Sequence, residues 1–145
     1  MKFKVESVNI AAFKGMQKHE VPEIVCRENF GIAGDAHAGD WHRQVSLLAG
    51  EAVDAMKAKG FALAPGAFGE NIVTRGVDWS RAKVGETIAI GAVKLQITQI
   101  GKECHSRCAI YYKAGECIMP SQGIFAKVLK GGKIHAQSSG NYRIR

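Results

Sequence analysis

The sequence lacks the features that mark several large classes of protein. Its 145 residues contain no apolar run near the roughly 20 residues that a membrane-spanning helix needs. The first residues, Met1 to Glu6, have neither the apolar stretch nor the small-residue cleavage site of a secretory signal. There is no internal repeat, low-complexity tract or linker. We therefore expect one domain spanning residues 1–145, located in the cytoplasm.

Cysteine and aromatic residues are also scarce. Three of the four cysteines lie within residues 104–117, while Cys26 stands alone in an apolar alternation and is predicted to pack in the core. This spacing does not suit a secreted disulfide framework, so we expect reduced thiols. Aromatic residues make up 8%, and Lys and Arg form no run, which disfavours nucleic acid as a partner. The formal charge of +7 still favours anionic partners.

The apolar pattern predicts short strands separated by glycine-rich turns. Strands are predicted over residues 3–12 with a bulge near Ser7, 19–21, 23–26, 44–48, and in a hairpin over residues 84–100 that turns at Gly91-Ala92. Helices are predicted only over residues 50–59, ended by Gly60, and from Ser121 to Lys130. Many strands with so few helices indicate a mainly β barrel with a few short peripheral helices.

A glycine-rich loop over residues 31–43 holds the first candidate site. Four of its side chains are of the metal-ligating type: Asp35, His37, Asp40 and His42. In the alternative interpretation, Asp35 and His37 hydrogen-bond backbone groups and hold the loop in shape, with Arg43 facing anions. A second glycine-paired turn leads to Glu70 and Asn71, and Glu70 either binds a ligand or closes this turn.

Residues 100–108 hold most of the reactive chemistry. Two thiols, an imidazole and two cations are close in sequence there: Cys104, Cys108, His105, Lys102 and Arg107. Nearby cations favour the thiolate, the form that attacks electrophiles or binds metals. The spacing of Cys104, Cys108 and Cys117 matches neither a zinc site nor an iron–sulfur cluster, which leaves a single thiolate acting as nucleophile, persulfide sulfur carrier or soft-metal ligand. Cys104 is the best candidate, and Cys108 and Cys117 are accessory thiols or core residues.

Several blocks of the sequence carry a resemblance to a known family. They are Gly31-Ile-Ala-Gly-Asp-Ala-His-Ala-Gly, Arg43-Gln-Val-Ser-Leu, Gly69-Glu-Asn-Ile, Gly101-Lys-Glu-Cys-His-Ser-Arg-Cys, and Cys117-Ile-Met-Pro with Gly123-Ile-Phe and Gly131-Gly132. In this order they resemble the MOSC domain, named for the C-terminal domain of molybdenum cofactor sulfurase, in its small stand-alone form. The resemblance implies a MOSC-type β-barrel.

The resemblance also implies a cofactor. In this family a molybdenum or tungsten pterin cofactor carries its metal on a dithiolene and ends in a phosphate, and the cysteine matching Cys104 is thought to carry sulfur or to ligate the metal. The cofactor-binding residues expected in this sequence are Arg43, Lys102, His105, Arg107, Asp35, His37, Glu70 and Asn71. Basic side chains among them suit the phosphate and the electron-rich pterin.

Three functions follow as expectations. The first is a carrier or binding domain for this cofactor or its sulfur, acting in maturation or delivery through Cys104. The second is a small oxidoreductase that reduces N-hydroxylated compounds with an external electron donor. The third is a metal-binding interaction domain that uses Asp35, His37 and the cysteines. The sequence lacks the aminotransferase-like half of the sulfurase, so we expect no pyridoxal phosphate. A sulfurase, a cofactor-biosynthesis protein or an electron donor is the expected partner.

Overall fold

The structure, a computed structural model, describes residues 1–101 and 122–142. Within these ranges the chain forms eleven strands, one α-helix and a short 3-10 helix at Trp79–Arg81. The bounds are β1 Lys2–Ile10, β2 His19–Val21, β3 Glu23–Arg27, β4 Gly31–Ile32, β5 Val45–Ala49, α1 Gly50–Lys57, β6 Ile72–Arg75, β7 Thr87–Ile90, β8 Val93–Ile100, β9 Ile124–Lys130, β10 Gly132–His135 and β11 Ser139–Tyr142.

Seven of these strands close into a barrel. They are hydrogen-bonded in the order β11, β7, β8, β9, β5, β6 and β1, and the pairing of β1 with β11 closes the ring. Strand β2 pairs with β1 outside the ring, while β3, β4 and β10 form a separate three-stranded sheet. The prediction of a mainly β barrel is confirmed. Closure satisfies backbone groups that an open sheet would leave at its edges.

Apolar side chains fill the barrel and a smaller cluster beneath α1. Val5 and Leu95 are fully buried in the barrel core. Leu48, Phe125 and Met56 form part of the second cluster, which packs α1 against β5 and β9. No helix in the described part of the chain is long and apolar enough to cross a membrane.

Several local predictions are confirmed. The register of β1 against β6 shifts between Val5 and Ser7, where the sequence predicts a bulge. Strands β7 and β8 form the predicted hairpin, with Ile90 opposite Val93 and a positive φ of +55° at Gly91. Each of these features depends on neighbouring residues alone, because an extra residue reverses side-chain parity and a tight turn needs a permissive backbone.

The predicted helix from Ser121 to Lys130 is wrong. Residues 124–130 form strand β9, and Ser121 itself lies outside the described residues. Strand β9 lies between β8 and β5 and is buried on both faces, with Ala126 in the barrel core and Phe125 in the cluster beneath α1. A doubly buried strand has apolar residues at helical spacing as well as at strand spacing, so the pattern misleads.

The chain after β9 continues into another strand. Gly132 begins β10, and Ile134 in this strand is fully buried. The helix predicted over residues 50–59 is confirmed as α1, and Gly60, with a φ of +99°, follows it as predicted.

Candidate functional site

Asp35 holds the glycine-rich loop between β4 and β5 in shape. Its buried carboxylate accepts hydrogen bonds from the backbone N–H groups of Ala11 at 3.2 Å and His37 at 3.1 Å. It also accepts one from Lys18 Nζ at 2.7 Å. These contacts correspond to the loop-shaping alternative of the sequence analysis. Both carboxylate oxygens are therefore engaged by donors of the protein itself.

Lys18 is the buried partner of this carboxylate, and the sequence pattern did not reveal it. Its side chain is 1% exposed, and its ammonium lies 2.7 Å from Asp35 Oδ1 and 2.9 Å from His37 Nδ1. An ammonium group only donates, so Nδ1 of His37 accepts and its ring proton is on Nε2. Lys18 stands in a polar stretch before β2, and only its spatial pairing with Asp35 distinguishes it from a surface lysine.

Trp41, near the end of the loop, contacts His37, Lys14 and Arg43. Its indole N–H donates to the carbonyl of His37 at 2.7 Å, and the two rings stack with an interplanar angle of 10°. Two cations lie over the same ring: Lys14 Nζ is 4.8 Å and the Arg43 guanidinium carbon 4.7 Å from its centroid. Such cation–π contacts orient positive charge without neutralising it.

Arg43 has no polar partner among the residues that the structure describes. Its guanidinium stacks on Trp41 and lies 5.8 Å from the ring centroid of Phe125, and its buried Nε has no hydrogen-bond acceptor. By contrast, Arg75 forms ion pairs with Glu6 at 2.6 Å and Asp54 at 2.7 Å. Burying an N–H without an acceptor is costly, so the environment of Arg43 fits an anionic ligand.

The loop meets the end of β8, the strand that leads into the cysteine segment. His42 Nε2 donates to Gln99 Oε1 at 2.8 Å, and Gln99 Nε2 donates to the carbonyl of Gly101 at 2.7 Å. The hydroxyl of Thr98 also donates to the carbonyl of His42. The side chains beyond this point that the sequence predicts to be functional lie outside the described residues: Lys102, Cys104, His105, Arg107, Cys108 and Cys117.

Glu70 closes the turn that precedes β6. Its buried carboxylate accepts from the backbone N–H groups of Gly66 at 3.1 Å and Phe68 at 3.0 Å. Burial raises the pKa of Glu70, while these hydrogen bonds and the charge of Lys18 act in the opposite direction. These contacts agree with the turn-closing role that the sequence predicts as one alternative, and binding of a ligand by Glu70 stays a prediction.

Asn71 joins three elements through its side-chain amide. Its Oδ1 accepts from the backbone N–H of Ser46 at 3.0 Å, and its Nδ2 donates to the carbonyl of Asn9 at 3.1 Å. These bonds tie β6 to both β5 and β1 at the base of the loop. A role of Asn71 towards a cofactor likewise stays a prediction.

A cavity of about 970 Å³ lies beside the barrel. Its lining includes Ile100 and Gln122, which flank the cysteine segment, together with Trp79 and the acidic residues Glu51 and Asp78. Carboxylates repel a phosphate group, so this cavity fits an anion less well than the surroundings of Arg43 do.

The described residues contain no group of three or more His, Cys, Asp or Glu side chains placed to hold a metal ion. The four loop residues Asp35, His37, Asp40 and His42 are all described and form no such group. Asp35 is engaged by Lys18, His42 bonds Gln99, and Asp40 is exposed. The alternative that combines loop residues with the cysteines extends beyond the described chain.

Cys26 is predicted to be inert towards thiol reagents in the native protein. It is buried in the core, as the sequence predicts, and this burial raises its pKa to about 12. At pH 8 the thiolate fraction is then about 1000-fold below that of an ordinary exposed cysteine, and the thiolate is the reactive form. Iodoacetamide followed by peptide mass spectrometry should therefore leave Cys26 unmodified until urea unfolds the chain. Equal labelling with and without urea would contradict this assignment.

The fold defines a class: the described residues form a closed β-barrel, with a glycine-rich loop beside an arginine that has no polar partner among them. The sequence model of the MOSC domain matches residues 34–139, which include most of this loop and the whole cysteine segment. The chain therefore belongs to the MOSC domain family, as the sequence blocks predict. A search of curated proteins finds no match.

Solved structures share the fold at low sequence identity. The YuaD protein from Bacillus subtilis is 18% identical with a TM-score of 0.78, covering 97% of this chain and 94% of its own. YiiM from Escherichia coli is 21% identical with a TM-score of 0.69, covering 100% of this chain and 71% of its own. YiiM from Geobacillus stearothermophilus is 18% identical with a TM-score of 0.68, covering 94% of this chain and 72% of its own. These similarities support the barrel assignment.

Proposed function

We propose that this domain binds a molybdenum or tungsten pterin cofactor, or the sulfur of that cofactor, through Cys104, and acts in its maturation or delivery. MOSC domains are associated with molybdenum cofactor, and this chain belongs to that family. The observation that carries the proposal is the buried Nε of Arg43, which has no acceptor among the described residues. An anionic ligand would supply that acceptor.

The donors around Arg43 fit the phosphate end of such a cofactor. A guanidinium offers Nε–H and Nη–H groups in a planar fork that matches two oxygens of one phosphate. The guanidinium of Arg43 and the ammonium of Lys14 both lie over the ring of Trp41, so two positive charges are close to this ring. These cations would fix the position of the ligand, and its metal would supply soft, redox-active chemistry when bound.

The proposed thiolate follows the end of β8 by only a few residues. Gly101 is joined to the loop through Gln99 and His42, and Cys104 follows three residues later. Three residues of extended chain span at most about 11 Å. A thiolate at Cys104 is soft and nucleophilic, which suits both a persulfide and a bond to molybdenum.

Lys18 and Asp35 form a buried ion pair that contacts His37 in the glycine-rich loop. Their buried ion pair holds His37 with Nδ1 accepting, so Nε2–H is the donor edge of this ring. A fixed neutral donor stabilises a nearby thiolate or anionic ligand without adding a second full charge. We infer that this ion pair orients the loop and that Arg43 makes the anion contact.

The test compares cofactor retention by Arg43→Gln and Arg81→Gln. Each variant removes one positive charge, and Arg81 is an exposed residue of the 3-10 helix. Purified apo-protein is incubated with the cofactor, desalted, and analysed for pterin and metal. Arg43→Gln should bind about 10- to 100-fold more weakly, the effect of losing hydrogen bonds to a charged group. Equal retention by both variants would contradict the assignment.

Turnover of hydroxylamines by cofactor-loaded protein with a reductant would instead identify a reductase.

A further inference from the structure

The outer face of the β8–β9 pair carries a concentration of positive charge. Lys94 lies directly opposite Lys130 in the register of these strands. Gln96, two residues after Lys94 and on the same face, lies opposite Lys127. Lys94 and Lys130 are exposed, and Lys127 is half-buried. We call these three lysines the basic strip. Like charges directly opposite one another across two strands repel, so this arrangement disfavours the isolated domain.

The lysines of the basic strip form no ion pair within the described parts of the chain. Other exposed cations do: Arg75 is paired with two carboxylates, and Lys133 lies 3.7 Å from Glu23. The end of β3 borders β9, where the Asn29 N–H donates to the carbonyl of Val128. Arg27, the last residue of β3, and Glu28 after it carry opposite charges and leave the local net charge unchanged. Within the described residues, the strip therefore keeps its positive charge.

The basic strip is continuous with the candidate site. Lys127 is two residues from Phe125 and projects from the same face of β9, because side chains alternate along a strand. The guanidinium of Arg43 lies over the ring of Phe125. The hydroxyl of Thr98, the extra residue in a bulge of β8, lies within hydrogen-bonding distance of the carbonyls of both His42 and Phe125. A surface of positive charge thus runs from Arg43 along the barrel to Lys94 and Lys130.

We propose that the basic strip is the docking surface for an acidic segment of a partner protein, which it aligns with Arg43 and the start of the cysteine segment. Charge complementarity selects the partner, since carboxylates placed between Lys94 and Lys130 relieve their repulsion. Among the residues that the structure describes, the other side chains on this face are Gln96 and half-buried Leu129, and none is an exposed aromatic ring on which a base would stack. This composition fits an acidic peptide better than single-stranded nucleic acid. The proposal does not depend on which ligand the site holds.

The test uses two fluorescent probes and two variants of equal charge. Fluorescence anisotropy measures binding of an oligoglutamate peptide and of an oligothymidine strand. The strip variant carries Lys94→Gln, Lys127→Gln and Lys130→Gln. The control carries Lys2→Gln, Lys57→Gln and Lys83→Gln, three exposed lysines outside the strip. Thermal unfolding verifies that both variants fold.

The strip variant should bind oligoglutamate about tenfold more weakly than wild type at low salt, with a shallower salt dependence, while the control stays within about twofold. Equal weakening in both variants would show that net charge alone attracts the peptide and would overturn the proposal. Tighter binding of oligothymidine than of oligoglutamate, lost in the strip variant, would assign the surface to nucleic acid and would also overturn it. Failure of cofactor retention in the Arg43→Gln comparison leaves these outcomes unchanged, because neither probe contains the cofactor.

Discussion

Replacing Asp35 with alanine is expected to lower the free energy of unfolding by about 3 to 5 kcal/mol. The substitution leaves the ammonium of Lys18 buried without its carboxylate, and it removes the acceptor of the Ala11 and His37 backbone N–H groups. A buried unpaired charge is among the few single changes that cost this much, because no water replaces the lost partner. Urea unfolding at pH 7, followed by circular dichroism, measures the effect.

Two comparison variants separate this cause from a general loss of charge. Asp54→Ala removes an exposed carboxylate paired with Arg75, and it should have a much smaller effect because water solvates both groups. Asp35→Leu combined with Lys18→Met removes both buried charges, and it should recover part of the stability lost in Asp35→Ala. If Asp35→Ala and Asp54→Ala were equally stable, the buried pair would not be what holds the loop.

Gly66→Ala is the second change with a large expected effect. Gly66 has a φ of +87°, and a Cβ there would lie 2.3 Å from the backbone carbonyl oxygen of Lys18. The backbone of Lys18 cannot move away cheaply, because its N–H donates to the carbonyl of Gly66 at 2.9 Å. We expect a loss of about 3 kcal/mol, which combines left-handed backbone strain with overpacking.

Gly85→Ala provides the matched control for this substitution. Gly85 has a similar φ of +96°, but no atom lies within 4 Å of the position that a Cβ would occupy. Its substitution should cost only the backbone strain, about 1 kcal/mol. The difference between the two variants in chemical denaturation measures the close approach of the Gly66 turn to Lys18. Equal destabilisation would mean that this approach is absent.

The features that local sequence predicts well are those that local geometry determines. The bulge in β1 and the turn at Gly91 follow from side-chain parity and backbone freedom within a few residues. The sequence of strand β9 predicts a helix instead, because burial on both faces depends on β8 and β5, which neighbouring residues do not reveal. Tertiary pairing decided between two patterns that the apolar residues fit equally well.

In the candidate site too, local sequence predicts some residues, while the roles of others depend on tertiary contacts. Asp35 and Arg43 can be identified from the sequence because they lie in the glycine-rich loop, whose composition predicts a loop-shaping role for Asp35 and an anion-facing role for Arg43 as one of two interpretations. Lys18 and Trp41 could not be assigned, since the role of each depends on partners brought together by folding. The burial of Lys18 and the contacts of the Trp41 ring with two cations arise only when the loops pack together.

The measurement that tests the proposed function most directly is the retention of metal and pterin by wild type, Cys104→Ala and Cys26→Ala after the same cofactor incubation. Cys26→Ala is the thiol control, because it removes a buried core cysteine outside the candidate site. The proposed role of Cys104 predicts that Cys104→Ala loses most of the bound metal while Cys26→Ala retains it. Equal retention of metal by wild type and Cys104→Ala would contradict that role.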